Sequence, residues 1–391
     1  MAATFGSEQF ISTTATGAFS ISTADVDGDG DLDILAGAGN GVGWYENDGS
    51  QGFTLRTIAS NAAGVRTVTS ADVDGDGDLD ILSASFTDNT IAWYQNNGSQ
   101  TFTRITIATG AAAGAFSIKT VDVDGDGDFD VLAAGNTTVA WYQNDGSGNF
   151  TRRTIFTTAN TASSVTAADV DGDGDLDVLS TSSLDNTIAW YQNDGSQNFT
   201  RRTIATGANA TGAFSVSTAD IDGDGDVDAF AASAGNNTIA WYQNDGSGNF
   251  TRRTIATNAT GARTVFAADI DSDGDFDVVT ASYTNNTIAW YENDGSGNFT
   301  QNVLGTSATG ARSAIAADVD GDGDQDVLAA SSTDNTFAWF QNANQRPTAV
   351  PDTFNGTEDA VLNGNVLLAN PTTADSDPDG NTLTVTAVNG Q

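Results

Sequence analysis

The chain has 391 residues, with 52 Asp and Glu against 13 Lys and Arg, a net charge of −39, and neither His nor Cys. A balance this acidic repels nucleic-acid phosphates and anionic membrane surfaces, so neither is expected as a partner. Without Cys there are no disulfides, thiol nucleophiles or thiolate metal sites, and without His the commonest general base is missing.

The opening residues, MAATFGSEQF, lack the basic and apolar regions of a secretory signal, so the chain is expected to be a piece of a longer product. No apolar run reaches the roughly 18 residues of a membrane span. Residues 9–20, QFISTTATGAFS, form one β-prone stretch and a Thr/Gly/Ala-rich loop. The stretch DVDGDGDLD follows at 25–33, with five Asp in nine residues. Like charges packed this closely repel by roughly 1 kcal/mol per pair at ~4 Å even in water, so the cluster needs a reason. The pattern D-x-D-x-D-G-D-x-D recurs, beginning at Asp25, Asp72, Asp122, Asp169, Asp220, Asp269 and Asp318. A near-constant period of this size marks an array fold.

Each period carries four β-prone stretches. In the fourth unit they are residues 164–168, 177–180, 187–192 and 199–205, separated by the Asp loop, a short polar loop and an N-D-G-S turn. Turn chemistry at this spacing marks antiparallel strands, and no segment shows the 3.6-residue apolar period of a helix. The expected fold is all-β, a seven-bladed β-propeller of four-stranded antiparallel blades. One Trp per unit (44, 93, 141, 190, 241, 290 and 339) is expected to fill the space between blades.

The seventh unit supplies strands at 326–331 and 336–341 but ends at NANQRP without a fourth. Residues 9–20 resemble that missing strand and its loop, so the N-terminal strand is expected to join the last blade and close the ring. The domain division is 1–343 for the propeller and 344–391 for a linker and a truncated segment. All four prolines lie in that tail. It resembles the opening of a bacterial cadherin-like repeat, a sandwich of the immunoglobulin type, with Asp375, Asp377 and Asp379 as further cation candidates. Its length is too short for an independent core.

Calcium takes six to eight oxygens, commonly carboxylates at alternate loop positions. Positions 1, 3 and 5 converge on one point, Gly at 6 permits the turn, 7 offers its carbonyl, and 9 can close the shell bidentately. The candidate ligands are Asp25, Asp27, Asp29, Asp31 and Asp33 in the first loop, and Asp72, Asp74, Asp76, Asp78 and Asp80 in the second. Asp122, Asp124, Asp126, Asp128 and Asp130 make the third, and Asp169, Asp171, Asp173, Asp175 and Asp177 the fourth. The fifth holds Asp220, Asp222, Asp224, Asp226 and Asp228, and the sixth Asp269, Asp271, Asp273, Asp275 and Asp277. Asp318, Asp320, Asp322, Asp324 and Asp326 complete the set. The helix–loop–helix calcium motif needs Glu at position 12, where the first loop has Ala36. About one Ca2+ per blade, up to seven, is expected, with magnesium disfavoured by its octahedral demand.

The unit DVDGDGDLD, then VLS, then TIAWYQNDGSGNF resembles the FG-GAP-like (VCBS-type) repeat, related to the integrin α-subunit propeller. The resemblance implies a calcium-stabilised extracellular or cell-surface scaffold, used in adhesion or carbohydrate handling in a larger bacterial protein. The alternatives are a carbohydrate-binding or lyase-associated propeller of a polysaccharide-degrading enzyme, and a plain spacer. The propeller itself is expected to be monomeric and non-enzymatic.

Positions that vary between units are free to carry a ligand. Six residues before each Asp loop the chain reads Phe19, Arg66, Phe116, Ser163, Phe214, Arg263 and Arg312. Before the Trp strand stand Phe86, Leu184 and Tyr283. These are the candidate contacts for a protein or glycan ligand on the face opposite the calcium loops.

Overall fold

Short β-branched and aromatic runs, each broken after five to eight residues by Gly, Asn or Asp, leave the strand as the dominant regular element. In a computed structural model, which describes residues 3–39, 41–110 and 115–343, there are 28 strands among the described residues and a 3-10 turn at Gly207–Asn209. The tail from residue 344, with its expected cadherin-like segment and Asp375, Asp377 and Asp379, lies outside the described residues.

The strands form seven four-stranded antiparallel sheets. The fourth blade, Ala162–Ala168, Asp177–Ser182, Thr187–Asn193 and Phe199–Thr206, shows the plan, each strand pairing with the next. The first strands of successive blades touch one another around the ring, and that of the seventh blade, Ala311–Ala317, returns to that of the first, Ser20–Ala24. These seven strands therefore line the central channel.

The last blade is completed as expected. Gln9–Ser12 pairs antiparallel with Thr336–Phe340, setting Gln9 opposite Trp339 and Phe10 opposite Ala338. Backbone bonds from Gly6 N–H to the Gln341 carbonyl and from Ala343 N–H to the Thr4 carbonyl extend the closure.

The second and third strands of each blade are buried, because each blade is covered by a neighbour on either side. The core lies between blades. Leu179, Ile188 and Trp190 of the fourth pack against Val216, Ala229 and Tyr242 of the fifth. Trp190 also meets Phe250 edge-on at 6.2 Å. All seven Trp are buried, which agrees with a packing role.

Hydroxyls add directional bonds across these seams. Ser20, Ser117, Ser164, Ser215 and Thr264 on inner strands accept backbone N–H groups of Val68, Val165, Val216, Val265 and Ala314 on the following blade. Each buried N–H is thereby satisfied where strand pairing cannot reach it.

Candidate metal centres and the opposite channel mouth

Each Asp loop joins the inner strand to the second, and each N-D-G-S turn joins the third to the outer strand. Antiparallel order puts both at one end of the blade, so the loops and turns share a face. Within a loop, position 1 organises the backbone. Asp169 accepts N–H bonds from Gly172, Asp173 and Gly174, and the bond from the position-6 glycine recurs in all seven loops. That glycine has φ between 93° and 100°, a region closed to side-chain-bearing residues. Position 4 sits at a left-handed φ that other residues tolerate, and Ser272 adopts it at 58°.

Position 3 is the distinctive group. The Oδ1 atoms of Asp27, Asp74, Asp124, Asp171, Asp222, Asp271 and Asp320 are all buried without a hydrogen-bond partner. In five blades the other oxygen accepts from a third-strand glutamine: Gln95, Gln143, Gln192, Gln243 or Gln341. Glu46 and Glu292 stand in its place beside Asp27 and Asp271, and they add to the factors raising those carboxyls. Burial is the leading cause, with the neighbouring position-5 carboxylate next, and Asp271 is pushed up to about 6.

Ligand oxygens of Asp25, Asp27 and Asp29 lie within 4.8 Å of one another, as do those of Asp72, Asp74 and Asp76 and of Asp169, Asp171 and Asp173. Acidic groups able to hold a metal ion therefore lie in several blades. An orphaned buried oxygen flanked by two further carboxylates is the donor set a hard cation requires.

Position 9 also has a structural task. Asp33, Asp80, Asp130, Asp177, Asp228, Asp277 and Asp326 are fully buried. In each, one oxygen accepts the N–H of position 2 and the other that of the Asn ending the third strand, as Asp177 does from Val170 at 3.2 Å and Asn193 at 2.7 Å. With one N–H bond on each oxygen, the position-9 carboxylate fixes two strands and keeps one lone pair on each oxygen. Asp130 and Asp228 still fall within 4.8 Å of the position-1 and position-3 oxygens, where a second lone pair can contribute. The same Asn latches blades: Asn47, Asn144, Asn244, Asn293 and Asn342 donate to position-2 carbonyls of Val319, Val73, Val170, Ile221 and Ile270 on the preceding blade.

Burial pushes the position-9 carboxyls up, to about 7 for Asp33, Asp277 and Asp326 and about 6 for Asp80, Asp130, Asp177 and Asp228. The native state thus binds protons that the unfolded chain, titrating near 3.8, has released. This stabilisation is complete below about 4 and is lost as pH rises through about 7. In chelator, the unfolding midpoint is expected to rise as pH falls from 8 to 5, measured by circular dichroism; a midpoint that falls would contradict the assignment.

At the opposite end of the inner strands the variable residues converge. Phe19, Arg66, Phe116, Ser163, Phe214, Arg263 and Arg312 line one cavity of about 200 Å³ at the channel mouth. Phe86 and Tyr283 join them: the Phe86 ring lies 4.6 Å from that of Phe116, and the Arg312 guanidinium 4.2 Å over Tyr283. Leu184 does not. It is 66% exposed, on the blade that bears Ser163 where others bear Phe or Arg.

A family model described as FG-GAP-like repeat matches six overlapping windows: residues 25–83, 72–133, 122–180, 169–231, 220–280 and 269–329. Each runs from one Asp loop to the second strand of the following blade. Among solved structures, the chain is similar to a lectin of Agrocybe aegerita described as recognising non-reducing terminal N-acetylglucosamine, at 22% identity and TM-score 0.55, covering 76% of this chain and 82% of the lectin. It is also similar to BBS1N, solved in complex with ARL6DN, at 9% identity and TM-score 0.62, covering 88% and 98%. Both likenesses concern the fold. The comparison with curated proteins finds no match.

Proposed function

The chain belongs to the FG-GAP-like repeat family, and on that premise we propose that it is a calcium-binding, non-enzymatic propeller module of an extracellular or cell-surface protein. Its ligand, a glycan or a protein, is held on the face opposite the acidic loops. The observation that carries the metal reading is the position-3 oxygen, buried and unpartnered in every one of seven loops.

Positions 1, 3 and 5 would hold the ion. Three carboxylates in one shell suit calcium better than magnesium, which keeps several waters and binds through one or two. When bound, calcium supplies charge neutralisation; the chain's own contribution is to hold the carboxylates in place through the position-6 glycine and the third-strand glutamine. Five of the loops also carry a blade latch through position 2, so the acidic face is structural in this reading. Ligand contact belongs to the other face, where arginines and aromatics gather. Intrinsic catalysis is disfavoured by the absence of His and Cys.

A glycan array probed in calcium and again in chelator tests this. Binding that depends on calcium, without turnover, is the expected result. Cleavage by the isolated chain would contradict the non-enzymatic reading, and no binding to either glycans or candidate surface proteins would reduce the module to a spacer.

A further inference from the structure

We propose that the channel mouth binds the anionic group of an acidic monosaccharide unit, a carboxylate or a sulfate, through Arg66, Arg263 and Arg312. The inference rests on the ligand-face reading above and narrows its class.

Three cations meet here without an anion. The cavity lining contains Phe, Ser, Thr and small apolar residues beside the arginines, and no carboxylate. Among the described residues the ion pair present is Arg56 with Glu46, on the outer part of the first blade. In a chain of net charge −39 a carboxylate partner for each arginine was readily available, and none is supplied. The Nε atoms of Arg66 and Arg263 are buried without a partner, while that of Arg312 donates to Ser332 Oγ at 3.0 Å.

Aromatic rings hold the guanidinium groups. Arg66 lies 3.7 Å and Arg312 4.3 Å from the Phe19 centroid, so two like charges share one ring. Arg263 lies 4.3 Å from Phe214, and it shares Tyr283 with Arg312. Such stacking occupies the faces of the guanidinium planes, and the N–H donors lie along their edges. Burial lowers the affinity of all three for their protons, and repulsion from Arg263 adds to this at Arg66 and Arg312, the latter reaching about 10. The cluster is therefore costly to assemble empty, and an oxyanion accepting charge-assisted bonds from the edges offsets that cost.

The occupant is small. About 200 Å³ accommodates one ring-sized group, whereas a peptide crossing the mouth would leave its flanking residues outside. A sugar ring also presents C–H faces to Phe116 and Phe214 while its acid reaches the arginines.

Titration calorimetry in calcium, with galacturonate, galactose 6-sulfate, galactose and glutarate, provides the test. Galacturonate or the sulfate ester should bind, galactose should not, and whichever acid binds names the anion. Arg263→Gln should weaken binding at least tenfold while leaving the unfolding midpoint unchanged or higher, since it removes an uncompensated charge; Arg66→Gln serves as a second variant. Glutarate binding as tightly as galacturonate would overturn the sugar assignment. Galactose binding equally well and insensitively to both arginines would overturn the anion site yet leave glycan binding standing. No binding by any probe would overturn the inference, whatever the glycan array shows.

Discussion

Excess EDTA is expected to lower the unfolding midpoint of the propeller by roughly 20 °C or more. An ion bound only to the native state stabilises it by about 2.7 kcal/mol at a hundredfold excess over Kd. A few such sites equal the ~5–15 kcal/mol that holds an ordinary domain together. The loops supply the reason the loss should be severe. Each packs five carboxylates into nine residues, and without a cation their repulsion acts at the junction of the inner and second strands. Because position 2 of five loops is also the acceptor for a latch from the next blade, disorder in one of these loops loosens two blades. A midpoint unchanged by chelator, measured by calorimetry at matched ionic strength, would contradict this.

Asp177→Ala should destabilise the protein by about 3–5 kcal/mol, both in calcium and in chelator. The substitution strands two buried N–H groups, those of Val170 and Asn193, and each unsatisfied group costs about 1–3 kcal/mol. Asp171→Asn, two turns of the same loop away in role, should behave differently. It removes a ligand oxygen whose only observed partner on the other side is Gln192, so its cost should appear in calcium and vanish in chelator. Paired denaturant titrations of the two variants separate a structural carboxylate from a metal-binding one. Equal calcium dependence of the two losses would show that positions 3 and 9 serve the same purpose.

The distinction between those two aspartates was hidden in the sequence. Both stand at odd positions of one acidic run, and the spacing that makes Asp171 a ligand candidate makes Asp177 one too. What separates them is Asn193, sixteen residues on, whose backbone arrives from a neighbouring strand. Blade number and closure were legible, because period and turn chemistry are local and the missing seventh outer strand could be matched to residues 9–20. The channel-mouth residues were legible as a variable register on the inner strand. Their use was not: Phe86 and Tyr283 follow the second strands of the blades that bear Arg66 and Arg263, whereas Leu184 follows that of the blade bearing Ser163, and only the pairing of first and second strands brings those residues to one end. The hydroxyl and Asn latches are not legible in the sequence, since their partners lie about 50 to 70 residues away or, at the closure, across the whole chain.

The most direct test of the account is a count of ions. Equilibrium dialysis against calcium, followed by elemental analysis of the protein, should give about one calcium per acidic loop, close to seven per chain, with magnesium failing to displace it at equal concentration. A chain that emerges with no bound calcium, or that prefers magnesium, would contradict the central claim.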